Sequence, residues 1–283
     1  SDEKEAKTVA ALPDEPVTPK ELSEEKRRRL AVLLETMTYL VYPLEEEAGS
    51  VEAREAVKAA NEYLAGREYG YVPYLQIRRM LEERSDRYVR ETEGRISSLR
   101  WCAETFDSDM YVELTVNTKT SKDGNNYFAT SAVSMLFSHT ATGEEWARSS
   151  HTSASASMST GSRMEAVRAS VRETVRRAME DGLESLRSKV VQHFRDGLPY
   201  TIELQSTYNK EPLAKFVKQL EKEVEFIERT EKGSERTVYE LRFIGSVTEL
   251  EETVFKTAAQ VRGLEDMFLV YQRGSTIAFN TGM

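Results

Sequence analysis

The sequence predicts an α+β fold in two units: an antiparallel or mixed sheet packed by long helices, then a smaller ferredoxin-like (split βαβ) domain. Three observations predict it. MYVELTV (110–116) alternates Met110, Val112, Leu114 and Val116 against Tyr111, Glu113 and Thr115, the pattern of a half-buried strand. Residues 163–195 carry one apolar stripe at helical spacing, from Met164 and Val167 through Val171, Val175, Ala178, Gly182, Leu186 and Val190 to Phe194. From residue 200 the patterns follow as β-α-β-β-α-β with an added terminal strand. The expected division is a leader at 1–17, a first unit at 18–197 and a second at 198–283.

Residues 1–17 are polar, acidic and proline-containing, and read as a flexible leader. Thr18, Pro19 and Glu21 supply a cap, a first helical residue and a capping-box acid, so a helix over 19–41 is expected. Leu30, Leu33, Leu34, Met37, Leu40, Val41 and Leu44 recur at its spacing. Its end, TYLVYP (38–43), is β-branched and aromatic and reads equally as a short buried strand. Ser50 caps a helix over 51–65 that stops at Gly66. Helical patterns cover 75–92 and 96–106. After the strand at 110–116, TKTSKDGNN (118–126) reads as a turn cluster. Strands 127–139 and 146–158 form a hairpin around Thr142-Gly143. Ser162 caps the long helix, and the Gly197-Leu198-Pro199 run ends it. The second unit reads as strand 200–205, helix 211–222, strands 224–230 and 236–244, helix 247–262, and strands 267–272 and 275–280.

At 283 residues the chain is long enough to bury two cores. Its net charge of -9 weighs against nucleic acid as a partner, because phosphate binding needs a basic face. The single cysteine, Cys102, excludes an intramolecular disulfide and reads as a small buried hydrophobe. No apolar stretch approaches the roughly 18–20 residues of a membrane-spanning helix. The sequence begins at Ser1, so an upstream segment is expected to have been removed.

No catalytic residue, metal ligand or cofactor site is predicted. His139, His151 and His193 lie far apart, without the spacing of a zinc motif. His139 and His151 flank the hairpin and could face each other across it, but no third ligand accompanies them. SSHTSASASMSTGS (149–162) has no paired base and reads as a small-residue strand leading into a helix cap. Glu113 is expected on a solvated face. The sharpest feature is EEKRRRLAVLLETMTYL (24–40), where a basic cluster adjoins an apolar stripe, the composition of a helix lying in a membrane interface. LQIRRMLEERSDRYVR (75–90) is a second such stretch, with Ile77, Met80, Leu81 and Tyr88 among Arg78, Arg79, Arg84, Arg87 and Arg90. The alternative for both is an amphipathic helix packed on its own domain.

The run ISSLRWCAETFDSDMYVELTV, then YFATSAVSMLFSHTATGEEWARSS, then GSRMEAVRASVRETVRRAMEDGLESL resembles bacterial envelope lipoproteins of the curli-secretion and penicillin-binding-protein-activator superfamily. Ser108-Asp109 opens the strand and Thr142-Gly143-Glu144 occupies the turn. The likeness covers about a third of the chain. With its basic, apolar first helix the chain also resembles spirochaete (treponemal) outer-membrane-associated lipoproteins, which insert amphipathic helices into the inner leaflet. The resemblance implies no enzyme activity, no metal and no cofactor. It also implies a lipidated cysteine ahead of Ser1 and a place on the periplasmic face of the outer membrane. The expected partner is membrane lipid, met by Leu30, Leu33, Leu34, Met37 and Leu40 as an inserting face, with Arg27, Arg28 and Arg29 on the head groups. Ile77, Met80 and Leu81 form a second contact. The alternative expectation is an assembly module that binds an envelope or flagellar protein.

Overall fold

A computed structural model of the chain describes residues 23–44, 47–83, 86–92, 94–233 and 235–282. The expected leader and the helix start at Thr18, Pro19 and Glu21 lie outside the described residues. Helix α1 (Glu24–Thr36) starts after Ser23, whose hydroxyl accepts from the Lys26 amide. It ends at Met37, and the open reading of 38–43 resolves as strand β1 (Thr38–Pro43). Thr38, Val41 and the tyrosines suit a pleated, buried surface. Leu40 and Val41 therefore leave the helical stripe and join a sheet.

Helix α2 (Val51–Gly66) is capped by Ser50, as expected. It leads through the short strand β2 (Gly70–Tyr71) to α3 (Tyr74–Glu82) and α4 (Asp86–Thr92). The single helical stretch expected over 75–92 is thus two helices. The first of them stops at Glu82, where the Glu83 amide donates to the Arg79 carbonyl. Helix α5 (Ser98–Thr105) precedes β3 (Met110–Asp123), which pairs along its whole length with β4 (Asn126–His139). The turn cluster expected at 118–126 shrinks to Gly124-Asn125, because cross-strand pairing carries the polar end of β3 on to Asp123.

One strand was expected over 146–158, but the chain makes two. β5 (Glu145–Thr152) pairs with Ala132–Ser138 of β4, and β6 (Ser157–Thr160) pairs with Asn126–Ala129 further along the same strand. The first sheet has the order β2-β1-β3-β4-β5, with β1 parallel to both neighbours. Helices α2 and α6 (Arg163–Asp196) cover one face, where Val41, Val112, Met135 and Phe137 meet Val57, Leu64, Val171 and Met179. On the other face Leu40, Tyr42 and Tyr111 pack against Ile77 of α3 and Leu99, Trp101 and Cys102 of α5. Tyr111 is therefore buried, and β3 is covered on both sides at its start rather than half-buried.

The second sheet contains β7 (Leu198–Gln205), β8 (Phe226–Lys232), β9 (Arg236–Phe243), β10 (Phe268–Arg273) and β11 (Thr276–Asn280). Helices α7 (Lys210–Leu220) and α8 (Val247–Ala258) belong to the same unit. The order is β10-β11-β7-β9-β8, with β11 parallel to β7. By strand direction β7, β8, β9 and β10 follow the split βαβ pattern, since β10 runs parallel to β9, and the added strand is the terminal β11, inserted between β10 and β7. The main apolar cluster runs unbroken from β1 and α2 through Phe194 of α6 to Phe279 of β11.

Small residues decide how closely α6 lies on its sheet. A Cβ built on Gly182 would collide with the Phe137 ring and meet Ser149 Oγ at 3.1 Å. Gly182→Val is expected to destabilise the fold by about 2 kcal/mol or more, since overpacking outweighs the gain in helix propensity. Chemical denaturation measures it.

Candidate functional site

A cleft with several buried polar groups lies where the ends of β1, β3 and β4 meet the second sheet. It measures about 260 Å3 and is lined on one side by Thr38, Ser108, Asp109, His139, Thr140 and Trp146. Tyr200, Ser246, Val247 and the Gly274-Ser275 turn face them.

Asp109 organises the first side. Its carboxylate accepts from the Thr38 amide at 2.7 Å and the Thr38 hydroxyl at 3.1 Å, and its own amide donates to the Thr38 carbonyl at 3.1 Å. Its carbonyl accepts from the Thr140 amide at 2.9 Å. One residue thus fastens the starts of β1 and β3 and the end of β4. Burial raises its carboxyl above the usual range, against the hydrogen bonds from Thr38. Ser108, Thr140 and Trp146 are almost fully buried, and Ser108 Oγ, Thr140 Oγ1 and Trp146 Nε1 have no hydrogen-bond partner among the described residues. On the opposite side the buried Tyr200 hydroxyl donates to the Gly245 carbonyl at 2.6 Å, just before the capping box of Ser246 and Glu249. The Gly274 amide reaches Asp107 Oδ1 at 3.4 Å, joining the β10–β11 turn to the first sheet.

The turn after β4 is held by Arg100 of α5. Its guanidinium donates to the Thr142 carbonyl at 3.1 Å, to the Ala141 carbonyl and to Glu104 at 3.1 Å. Gly143 adopts φ +70°, and a Cβ there would press on the same guanidinium. Ser108-Asp109 and Thr142-Gly143, distant in sequence, therefore meet at one end of the sheet and act as fasteners.

The histidines are divided between a stack and an ion pair. The Trp146 indole stacks between His139, at 4.1 Å and 3°, and His193, at 4.7 Å and 12°. Burial drives His139 down to about 3 and also lowers His193, so both stay neutral. His139 Nδ1 lies 3.2 Å from the Thr142 hydroxyl. His139 and His151 do not face each other: His151 sits opposite Val133 and bonds Asp181 of α6 at 2.5 Å. Among the described residues no group of three metal-ligating side chains occurs. The serine-rich stretch is structural, with Ser153 bonded to both the amide and the carbonyl of Ser131. Glu113 is half-buried rather than solvated and lines a groove of about 450 Å3 beside the stacked Tyr42 and Tyr74. Burial raises its carboxyl.

The residues expected to enter a membrane are placed differently. Leu30 and Met37 are buried in the main core, and Leu40 lies in β1 against α3 and α5. Leu33 and Leu34 are half-buried and pack on the same core. The physical reason is that α1 crosses to the second unit, where Lys26 pairs with Glu225 at 3.5 Å and Arg29 donates to the Ile244 carbonyl at 3.0 Å. Arg29 also pairs with Glu25, while Arg27 and Arg28 are exposed. In α3, Ile77 is buried, Met80 and Leu81 pack against the second cluster, and Arg78 and Arg79 pair with Glu82 and Glu83. Arg84 and the Arg87 side chain lie outside the described residues. No described helix is long and apolar enough to cross a membrane.

No family model matches the chain, and no curated protein matches it. Solved structures resemble parts of it. Lipoprotein GNA1162 from Neisseria meningitidis matches at 14% identity and a TM-score of 0.30, over 44% of this chain and 83% of that one. The LpoB C-terminal domain from Salmonella enterica matches at 16% identity and a TM-score of 0.27, over 44% and 93%. A hypothetical protein, CT253, from Chlamydia trachomatis matches at 8% identity and a TM-score of 0.31, over 55% and 97%. At such TM-scores none of these likenesses assigns a function.

A neutral His139 in the folded chain makes its contribution to stability full above pH 6.5 and progressively lost as the pH falls toward about 3. His139→Phe is therefore expected to flatten the acid-side loss of stability, by up to about 1.4 kcal/mol per pH unit. Denaturant titrations between neutral and mildly acidic pH test this.

Proposed function

We propose that this chain is a non-catalytic bacterial envelope lipoprotein, associated with the periplasmic face of the outer membrane, that works by binding a protein of the envelope. The observation that carries this reading is the position of α1. Its leucine stripe is used by the chain's own core, so it is not free to serve a bilayer. Full burial of Leu30 and of Met37 contributes about 1.5–3 kcal/mol each, which insertion into lipid would have to replace. The Asp109 carboxylate is taken up by the Thr38 amide and hydroxyl, and His139 and His193 by the stack on Trp146, which supports a binding function over a chemical one. The likeness of the Ser108-Asp109 and Thr142-Gly143-Glu144 segments to envelope lipoproteins supports the compartment. In this reading the tether to the membrane is an acyl chain, not a helix.

One observation favours a second reading. Arg27 and Arg28 are exposed on α1 without an ion pair among the described residues, beside Val32 at 51% exposure. Such a rim would meet anionic head groups at the surface, each arginine contributing about 1 kcal/mol.

Co-flotation of the unlipidated chain with neutral and anionic liposomes separates the two. The protein-binding reading predicts no flotation on either and recovery of an envelope protein in a lipid-free pull-down. Flotation that requires anionic lipid, weakens in salt and is lost in Arg27→Glu/Arg28→Glu would overturn it in favour of the second.

A further inference from the structure

The second sheet has two edges that differ in character. β8 ends one side, and Glu228, Arg229, Glu231 and Lys232 are all exposed along it. Charges of this kind blunt an edge against pairing. β10 ends the other side, where it pairs with β11 and, among the described residues, with nothing else. Its Phe268, Leu269 and Val270 are consecutive and 53%, 36% and 43% exposed. Among the described edge strands no other shows three exposed apolar residues in succession. β2 has two residues, and β5 turns Glu145, Arg148, Ser150 and Thr152 outward. Both β8 and β10 carry a bulge, but the one charge on β10 is Arg273, at its end.

The sequence of this edge complements itself. DMFLVYQR (266–273), laid antiparallel on a second copy about a two-fold axis between Leu269 and Val270, sets Leu269 against Val270 and Phe268 against Tyr271. The same register sets Asp266 against Arg273, both of which are exposed. An isologous pair makes each of these contacts twice. Opposite charges at the ends and apolar or aromatic pairs in the middle are the cross-strand partners that stabilise antiparallel sheets.

We propose that β10 is a self-pairing edge, through which two copies of the chain join their second sheets, by an antiparallel β10–β10 junction, into one sheet of ten strands. β10 lies outside the place beside β7 that the split βαβ pattern would give it, because β11 is inserted there. Its apolar edge instead suits a contact between chains. This inference does not depend on the envelope reading above.

Sedimentation velocity of the whole chain across a concentration series tests it. The chain is expected to reach twice the monomer mass, and Leu269→Lys/Val270→Lys to stay monomeric with unchanged far-UV circular dichroism and melting. Charge reversal fixes the register. Asp266→Arg alone and Arg273→Asp alone should each weaken self-association about tenfold, and mixing the two variants should restore it as a heterodimer. A monomer at every concentration, a dimer indifferent to the lysines, or a mixture that restores nothing would overturn the proposal. So would a monomeric chain whose β10 amides gain exchange protection when an envelope extract is added, which would give the edge to another protein's strand.

Discussion

The structure depends on the docking of one helix, the 34-residue α6, along β4, β5 and β6. Its stripe from Ala166 to Phe194 closes the first sheet on one face, and its C-terminal end delivers the chain into β7. Because Val190, Val191 and Phe194 also belong to the cluster that holds Tyr200, Leu241 and Phe279, the helix ties the two sheets to one core. Close approach at Gly182 and the serines of β5 makes the docking possible. A helix of this kind leaves limited room beside it, and α1 fills that room with Leu30 and Met37 while Arg29 and Lys26 reach the second unit.

That arrangement sets where the apolar residues of the stretch at 24–40 lie. Composition alone describes an interfacial helix and a packed amphipathic helix in the same terms, since both need an apolar stripe beside basic residues. The difference lies in what covers the stripe, and in this chain the core covers it. The charged residues follow suit: Lys26, Arg29, Arg78 and Arg79 have carboxylate partners, which reduces the field they could present to an anionic surface.

Local signals were legible in the sequence where the physics is local. Ser50 and Ser162 cap their helices as read, and the alternation of β3 and the stripe of α6 place those elements correctly. The succession of strands and helices in the second unit was readable because its segments are strongly patterned, while the insertion of β11 between β10 and β7 was not. What sequence could not supply is distant pairing. The Thr38–Asp109 clasp joins residues 71 positions apart, and neither residue carries a local mark of it. The His139–Trp146–His193 stack likewise forms only once α6 lies on β5. The end of α1 stayed ambiguous because Thr38–Pro43 becomes a strand through parallel pairing with β3, a contact between distant segments.

The central claim is that α1 is a fixed part of the body rather than a helix held ready for membrane. Hydrogen exchange of the α1 amides, followed with and without anionic vesicles, measures this most directly. Protection at Leu30–Thr36 comparable to that of α2, and unchanged by vesicles, is the predicted result. Loss of that protection, or new burial of α1 when vesicles are added, would contradict the account.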